Sequence, residues 1–257
     1  MGDTRRTLKL LPTAIAAGLA FLAVQVLRAA HRNDLPSFPN QDPSGTFGDP
    51  MLPRLRIVAL GDSSITSPGI EDLDDTWIRR TARGFTDRFQ VELIAVAVGG
   101  SKARDVVEGQ LDEAVSLKPD ISIVSVGAND AIRATTPAGY RADLERIVRG
   151  LEDAGSVVVL MGVGDLGSIP RLPPTLRPIL TRRAASFNDQ AEAIAARTST
   201  TVKINVSGRI STAFWDDPGL FGPDQFHAGP RGHAVFAEEI LPAVRAALAI
   251  ARSRRSF

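Results

Sequence analysis

The 257-residue sequence contains no cysteine and only three histidines: His31, His227 and His233. The absence of cysteine excludes disulfides, thiolate metal sites and a cysteine nucleophile. The few histidines restrict any chemistry that uses imidazole as a base to very few positions. A formal net charge of +1 gives no electrostatic reason to expect a nucleic acid as partner.

Short apolar runs rich in β-branched residues recur along the chain, at 55–60, 91–98, 121–127, 156–162 and 201–206. Each run is apolar over nearly its whole length, which is typical of strands that are covered on both faces of a parallel sheet. Amphipathic, helix-like segments separate them. This alternation predicts an α/β domain with a doubly wound parallel sheet of about five strands.

The N-terminus has a different character. Basic residues precede an uncharged run of 18 residues, Leu10 to Leu27, which is close to the ~20 that a helix needs to cross a bilayer. We favour an uncleaved signal anchor over a cleaved signal peptide, because Leu27 or Arg28 would stand at the third position before an A-x-A-like site. A buried helix of a soluble protein is the third alternative. Residues 1–30 are therefore predicted to be a signal-anchor, transmembrane or signal segment.

The basic residues before this segment favour a chain whose remainder lies outside the cytoplasm, anchored in the membrane or secreted if the segment is cleaved. Residues 31–53 are rich in Pro, Gly, Asp and Asn and show no periodicity, which predicts a linker. Residues 54–257, which contain the alternating strand-like and helix-like segments, form the predicted α/β domain.

Polar clusters follow the first four apolar runs, and a further one precedes the last predicted helix: GDSSITSPG, GGSKARD, GANDAI, GDLGSIP and PDQFHAGPRGH. In open parallel sheets, ligands bind outside the carboxyl ends of the strands. These clusters are therefore expected to meet at one edge of the sheet and to form a site there.

A candidate base is found in the sequence DQFH, where Asp224 stands three residues before His227. In a tight turn this spacing lets the carboxylate reach Nδ1 of the imidazole, so that Nε2 is free to accept a proton. His31 lies in the predicted linker, and His233 is interpreted as a packing residue in the first turn of the last helix. A metal site built from Asp224, His227 and His233 is a weaker alternative, since it would need a further ligand.

A serine hydroxyl becomes a nucleophile only if a base removes its proton and donors receive the developing charge. Ser63 follows the first strand. Its backbone N–H, at the start of a helical turn, is expected to face the oxyanion that forms when the serine attacks a carbonyl. Gly100 follows the second strand, and its N–H approaches a ligand closely because it has no side chain. Asn129 follows the third strand and donates through its amide.

Together these stretches resemble the four blocks of the SGNH/GDSL hydrolase family, from GDSSITSPG to FHAGPRGH, over about 200 of the 257 residues. The resemblance makes Ser63 the nucleophile, Asp224 and His227 its acid and base partners, and Ser63, Gly100 and Asn129 the oxyanion donors. It also implies a three-layer α/β/α sandwich. Two positions depart from the family pattern: Ser64 replaces the usual Leu, and Ala95 stands near the place of an Asn in the second block.

The function predicted from these residues is that of a serine esterase or lipase that needs no metal or organic cofactor. Its substrate would be a small-molecule or lipid ester or an acylated glycan. The first alternative is an O-deacetylase of cell-envelope glycans. The alternative from another class is a non-catalytic envelope-binding domain on the same scaffold. A nucleotide-binding domain is disfavoured, because GDSSITSPG lacks the lysine of a P-loop and the spacing of GxGxxG.

Overall fold

The computed structural model describes residues 34–255, with a few isolated positions between 18 and 28. The predicted signal or anchor segment, residues 1–30, lies outside the described residues apart from those positions, and it stays a prediction. In the part of the chain that the structure describes, no helix is both long enough and apolar enough to cross a membrane.

A six-stranded sheet lies at the centre of the domain. Its strands are β1 (Gly45–Phe47), β2 (Arg54–Gly61), β3 (Gln90–Ala95), β4 (Ile121–Ser125), β5 (Val157–Leu160) and β6 (Thr201–Lys203). They are arranged in the order β1-β3-β2-β4-β5-β6. Strands β2 to β6 are parallel, which confirms the five predicted strands, and β1 adds an antiparallel edge beside β3.

Both faces of the sheet are buried, and this explains the nearly continuous apolar runs in the sequence. In β2, Val58 and Leu60 point into one core, whereas Ile57 and Ala59 point into the other. Because side chains alternate between the faces of a strand, a strand covered on both sides needs an apolar residue at every position.

Helices cover the two faces of the sheet. They are α1 (Ser63–Thr66), α2 (Trp77–Arg83), α3 (Ala103–Gly109), α4 (Leu111–Ser116), α5 (Ala128–Ile132), α6 (Pro137–Asp153), α7 (Arg177–Ala195), α8 (Arg209–Asp216) and α9 (Pro230–Arg255). The predicted α/β class and its layered arrangement are therefore confirmed. Pro242 lies inside helix α9.

The strand order changes direction at β2, whose neighbours on either side are β3 and β4. The carboxyl ends of β2 and β4 therefore flank the crevice where ligands bind in doubly wound sheets. α1 follows β2, and α5 follows β4. This topology brings the residues after these two strands together.

The segment 31–53, predicted to be a linker, packs on the domain over much of its described part. The N–H of Gln41 donates to the carbonyl of Thr66 at 2.9 Å, and the hydroxyl of Ser44 accepts the N–H of Ala95 at 2.9 Å. Phe47 is buried in β1 beneath the guanidinium of Arg83, 4.7 Å from the ring centroid. A three-residue edge strand is too short to give a periodic pattern, so the sequence did not reveal it.

Candidate active site

Ser63 lies at the sharp junction between β2 and α1. β2 ends at Gly61, which has a φ of 142°, and a Cβ at this position would collide with the carbonyl oxygen of Ser125. Only glycine tolerates this backbone. Asp62 caps α1 by accepting the N–H of Ser64 at 3.0 Å, so the helix begins at Ser63. The serine is thereby held at the carboxyl edge of the sheet.

Asp224 and His227 lie in the loop before α9. Oδ1 of Asp224 accepts the N–H groups of Phe226 and His227, each at 3.0 Å. Its Oδ2 lies 2.6 Å from Nδ1 of His227, and Nε2 of that imidazole lies 3.0 Å from Oγ of Ser63. Sequence reasoning proposed these three residues as partners, and the structure brings them into one hydrogen-bonded chain.

The carboxylate of Asp224 is buried but well supported. Burial by itself raises its pKa, but the hydrogen bonds from the His227 ring and from the N–H groups of Phe226 and His227 outweigh burial. The pKa of Asp224 therefore lies below its usual range. A carboxylate that stays ionised fixes the imidazole in the tautomer with its proton on Nδ1 and stabilises an imidazolium.

The three expected oxyanion donors surround one cavity. Ser63, Gly100 and Asn129 all line the same depression together with His227. Gly100 has a φ of 83°, which accounts for a glycine in this loop. Across the described residues, neither the N–H of Ser63 nor that of Gly100 donates to another protein group. These two N–H groups are available to a bound oxyanion.

Asp62 lies beneath this arrangement and is almost completely buried. Burial is the main cause that raises its pKa, against the opposing hydrogen bonds from Ser64. Its Oδ2 lies 3.4 Å from the Asn129 side-chain nitrogen, so it orients the amide. Asp130, the next residue, is likewise buried and accepts the N–H of Ala103 at 2.8 Å, which links α5 to α3. Asp62 and Asp130 thus support the first turns of α1 and α3.

Ser64, the neighbour of Ser63, has its hydroxyl 2.6 Å from that of Ser125. Its carbonyl accepts the indole N–H of Trp77 at 2.7 Å. The contacts of Ser64 therefore stabilise the junction of β2 and α1, while the hydroxyl of Ser63 faces His227.

Two cavities meet at Ser63 and His227. The inner cavity has a volume of about 160 Å³ and is lined largely by apolar side chains, among them Ile210, Phe214 and Phe236. The outer cavity, about 700 Å³, contains the three donor positions and opens toward α5 and α7. Phe226 lines both cavities.

His233 is buried and does not take part in the chain of hydrogen bonds. Its Nδ1 accepts the backbone N–H of Trp77 at 3.1 Å. Burial is the main reason that the pKa of His233 falls to about 3, so this imidazole is neutral. Its expected role as a packing residue near the start of α9 agrees with this position.

Asp165 lies at the rim of the inner cavity. It accepts the hydroxyl of Thr181 at 2.6 Å and the indole N–H of the exposed Trp215 at 2.7 Å. Both contacts fix the loop after β5. Trp77 lines neither cavity and is a buried residue of the core.

Sequence reasoning missed residues from the segment before β1. Phe38 and Asn40 line the outer cavity. A Cβ on Gly99 would collide with the side chain of Asn40, and Oδ1 of Asn40 accepts the Thr66 hydroxyl at 2.7 Å. Asn40 thus packs against the loop that carries Gly100. No local signal reveals this contact, because it joins residues far apart in sequence.

A Ser-His-Asp chain at the switch point of a parallel sheet is the arrangement of the serine hydrolase class. The sequence model of the GDSL-like lipase/acylhydrolase family matches residues 59–235. The chain belongs to this family. The resemblance inferred from the four sequence blocks is thereby confirmed.

Comparison with known proteins agrees with this assignment. The chain is 29% identical over 201 residues to the GDSL-like esterase Rv1075c of Mycobacterium tuberculosis, covering 76% of this chain and 63% of that protein. The solved structure of TesA superposes with a TM-score of 0.63 at 19% identity, over 75% of this chain and 99% of TesA. A mutant of Axe2, an acetyl-xylooligosaccharide esterase from Geobacillus, gives a TM-score of 0.58 at 16% identity, over 74% and 94% of the two chains. At 19% and 16% identity, the similarity to these two solved structures shows a shared fold only.

Proposed function

We propose that this protein is a serine ester hydrolase that cleaves carboxylic esters through Ser63, His227 and Asp224. The observation that supports this most strongly is the hydrogen-bonded chain from Ser63 Oγ to His227 Nε2, at 3.0 Å, and from His227 Nδ1 to Asp224 Oδ2, at 2.6 Å. Both distances lie within the reach required for proton transfer from a nucleophile to its base.

In the first step, Oγ of Ser63 attacks the ester carbonyl carbon while its proton passes to Nε2 of His227. The ionised Asp224 stabilises the imidazolium that forms. The carbonyl oxygen becomes an oxyanion that accepts hydrogen bonds from the N–H groups of Ser63 and Gly100 and from the Asn129 side chain. His227 then donates its proton to the departing alcohol, and the acyl group stays on Ser63.

In the second step, water gives a proton to His227 and attacks the acyl carbonyl. The second tetrahedral intermediate collapses, the carboxylic acid leaves, and Ser63 regains its proton from His227. None of these steps calls on a metal or an organic cofactor.

The two cavities indicate how an ester lies in the site. The inner cavity is small and lined mostly by phenylalanine and aliphatic side chains, so it favours an apolar acyl chain of modest length. The outer cavity is more than four times as large and accommodates the alcohol. A short acyl group on a bulky alcohol is the substrate form that fits best.

This shape favours a second candidate function within the same chemistry, the removal of acetyl groups from cell-envelope glycans. The small inner cavity suits an acetyl group, and the wide outer cavity suits a sugar. The proposal that the domain lies outside the cytoplasm, anchored or secreted, rests on the sequence of residues 1–30 and would give access to such glycans.

A non-catalytic binding domain is the competing interpretation from another class. A binding domain would not need Ser63, His227 and Asp224 to lie at hydrogen-bonding distance from one another. The intact chain of hydrogen bonds therefore favours catalysis. The deciding experiment is turnover of a panel of p-nitrophenyl esters of increasing acyl length, together with acetylated xylan and acetylated peptidoglycan. We expect turnover that falls as the acyl chain outgrows the inner cavity and that disappears in Ser63→Ala. A folded protein that hydrolyses none of these substrates would contradict the proposal.

A further inference from the structure

The outer cavity has an unusual distribution of charge. Three arginines line it, Arg133, Arg171 and Arg183, and no aspartate or glutamate is among its described lining residues. The chain as a whole is nearly neutral, with 30 basic and 29 acidic residues. A cluster of positive charge beside Ser63 is therefore a local feature and not a consequence of composition.

The three arginines reach the cavity from different elements. Arg133 directly follows the last residue of α5 and is exposed. A nitrogen of its guanidinium lies 3.7 Å from the position that a Cβ on Gly100 would occupy. Arg171 lies in the loop before α7, and its backbone N–H donates to the carbonyl of Gln225 at 3.0 Å, next to the loop of His227. Both arginines thus belong to segments that border the loops of Gly100 and His227, and both line the outer cavity.

Arg183 on α7 braces this wall. Its guanidinium donates to the carbonyls of Ala131 and Thr135, each at 2.7 Å. These bonds fix the turn that contains Arg133. The backbone of Arg133 is thereby held beside the oxyanion donors. Among the described ion pairs, the guanidinium of Arg133 has no carboxylate partner.

The inner cavity cannot take a charged group, because its walls are mostly apolar and an unpaired ion there would lose its hydration. An ionic group on the substrate therefore belongs in the outer cavity, on the alcohol side of the ester. Arginine forks bind carboxylate and phosphate oxygens in preference to neutral groups. Apolar side chains of Leu172, Leu176 and Ile179 complete the wall and would contact the rest of the alcohol.

We propose that the outer cavity selects esters whose alcohol part carries an anionic group, a carboxylate or a phosphate, and that Arg133 and Arg171 are the residues that recognise it. This inference rests on the proposed ester hydrolysis and adds the class of alcohol. The anion would lie beyond the ester oxygen, against the guanidinium of Arg133, while the acyl group enters the inner cavity.

The test compares three aryl acetates of similar shape: meta-acetoxybenzamide, meta-acetoxybenzoate and meta-acetoxyphenyl phosphate. At low ionic strength we expect kcat/KM for either or both anionic esters to exceed that for the neutral amide by roughly tenfold, as a few partly solvated arginine–anion contacts would give. The preference should shrink toward unity in about 0.5 M NaCl, because salt screens exposed charges. The relative kcat/KM values of the benzoate and the phosphate identify which anion the outer cavity prefers.

The double variant Arg133→Gln/Arg171→Gln should bring the ratio of kcat/KM for the anionic esters to kcat/KM for meta-acetoxybenzamide close to unity. Arg182→Gln is the matched control, because Arg182 neighbours Arg183 on α7 but does not line the cavity. Equal kcat/KM values for all three esters in the wild type would overturn the proposal. A preference that persists in the double variant, or that is lost to the same extent in Arg182→Gln, would overturn it as well.

Binding separates this proposal from the proposed hydrolysis. Ser63→Ala, titrated with the same three esters in a calorimeter, should bind the anionic esters more tightly than the amide, and the added double substitution should abolish the difference. If the protein shows this binding pattern but no turnover, the proposed hydrolysis is contradicted and anion recognition in the outer cavity is supported. If it turns over the esters but lacks the binding pattern, anion recognition is contradicted and hydrolysis is supported.

Discussion

Nδ1 of His227 lies 2.6 Å from Oδ2 of Asp224, while the other oxygen of this carboxylate accepts two backbone N–H groups of the same loop. One carboxylate therefore shapes the turn and orients the imidazole. The two tasks fall on different oxygens, so they are separable by substitution.

Asp224→Asn separates them. The amide oxygen can continue to accept the two backbone N–H groups, but the NH₂ group would face Nδ1 and favour the tautomer with its proton on Nε2. That tautomer cannot accept a proton from Ser63, so we expect kcat to fall on the order of 10⁴-fold. Steady-state kinetics with a p-nitrophenyl ester, together with the thermal midpoint, would measure both effects. Asp217→Asn, at an exposed capping aspartate, is the control, and it should retain its activity. A small loss of kcat in a well-folded Asp224→Asn would contradict the role of Asp224.

Asn129→Ala tests the donor on α5. Within the described residues, the Asn129 side chain makes one long hydrogen bond, to Asp62 at 3.4 Å, so its removal should leave the fold intact. Loss of one oxyanion donor lowers kcat by roughly 10²–10³. We expect this loss in kcat, with a KM close to that of the wild type, in the same kinetic assay. A variant that turns over at the wild-type rate would remove Asn129 from the oxyanion site.

His233 predicts a specific dependence of stability on pH. Its pKa is lowered from 6.5 to about 3 in the folded protein, chiefly by burial. Below pH 6.5 the unfolded chain binds a proton at this position and the folded chain does not, so the contribution to stability is present above 6.5 and is lost as the pH falls toward 3. The free energy of unfolding should decrease by up to about 1.4 kcal/mol per pH unit from this group.

Urea unfolding at several pH values between 4 and 8, for the wild type and for His233→Asn, would measure this contribution. The buried carboxyl groups of Asp62 and Asp130 have raised pKa values and act in the opposite direction, so the difference between the two proteins is the useful quantity. Whatever its stability at pH 8, the free energy of unfolding of the variant should fall less steeply toward low pH than that of the wild type. Parallel curves would contradict a buried neutral His233.

The sequence was sufficient for the five parallel strands of the sheet, and it named the residues that the structure brings together at the carboxyl edge, whose catalytic roles stay predictions. Strands such as β4 are buried at every position, so their composition alone distinguishes them from helices and loops. The chemical residues Ser63, Asn129 and His227 follow or precede regular elements, and the parallel topology brings such positions to one edge. Pattern and topology together predicted that these residues meet at one edge of the sheet, and the family resemblance was needed to select Ser63 over Ser64 as the nucleophile.

What escaped prediction depends on contacts between distant segments. The family usually has an Asn shortly before the glycine of its second block, and Ala95 stands there in this chain. The structure shows Asn40, from the supposed linker, packed against Gly99 at the same loop. Likewise, Phe226 lines both the inner and the outer cavity, and its backbone N–H is held by Asp224. Neither feature has a local signature, because each results from tertiary packing.

The central claim is that Ser63 is a nucleophile activated by His227. The most direct measurement is reaction of the full-length protein with a fluorophosphonate, followed by peptide mass spectrometry to locate the adduct, in parallel with Ser63→Ala and Ser64→Ala. We expect one phosphonate on Ser63 in the wild type and in Ser64→Ala, and no adduct in Ser63→Ala. An unlabelled, folded wild-type protein, or an adduct that persists on another residue in Ser63→Ala, would contradict the claim.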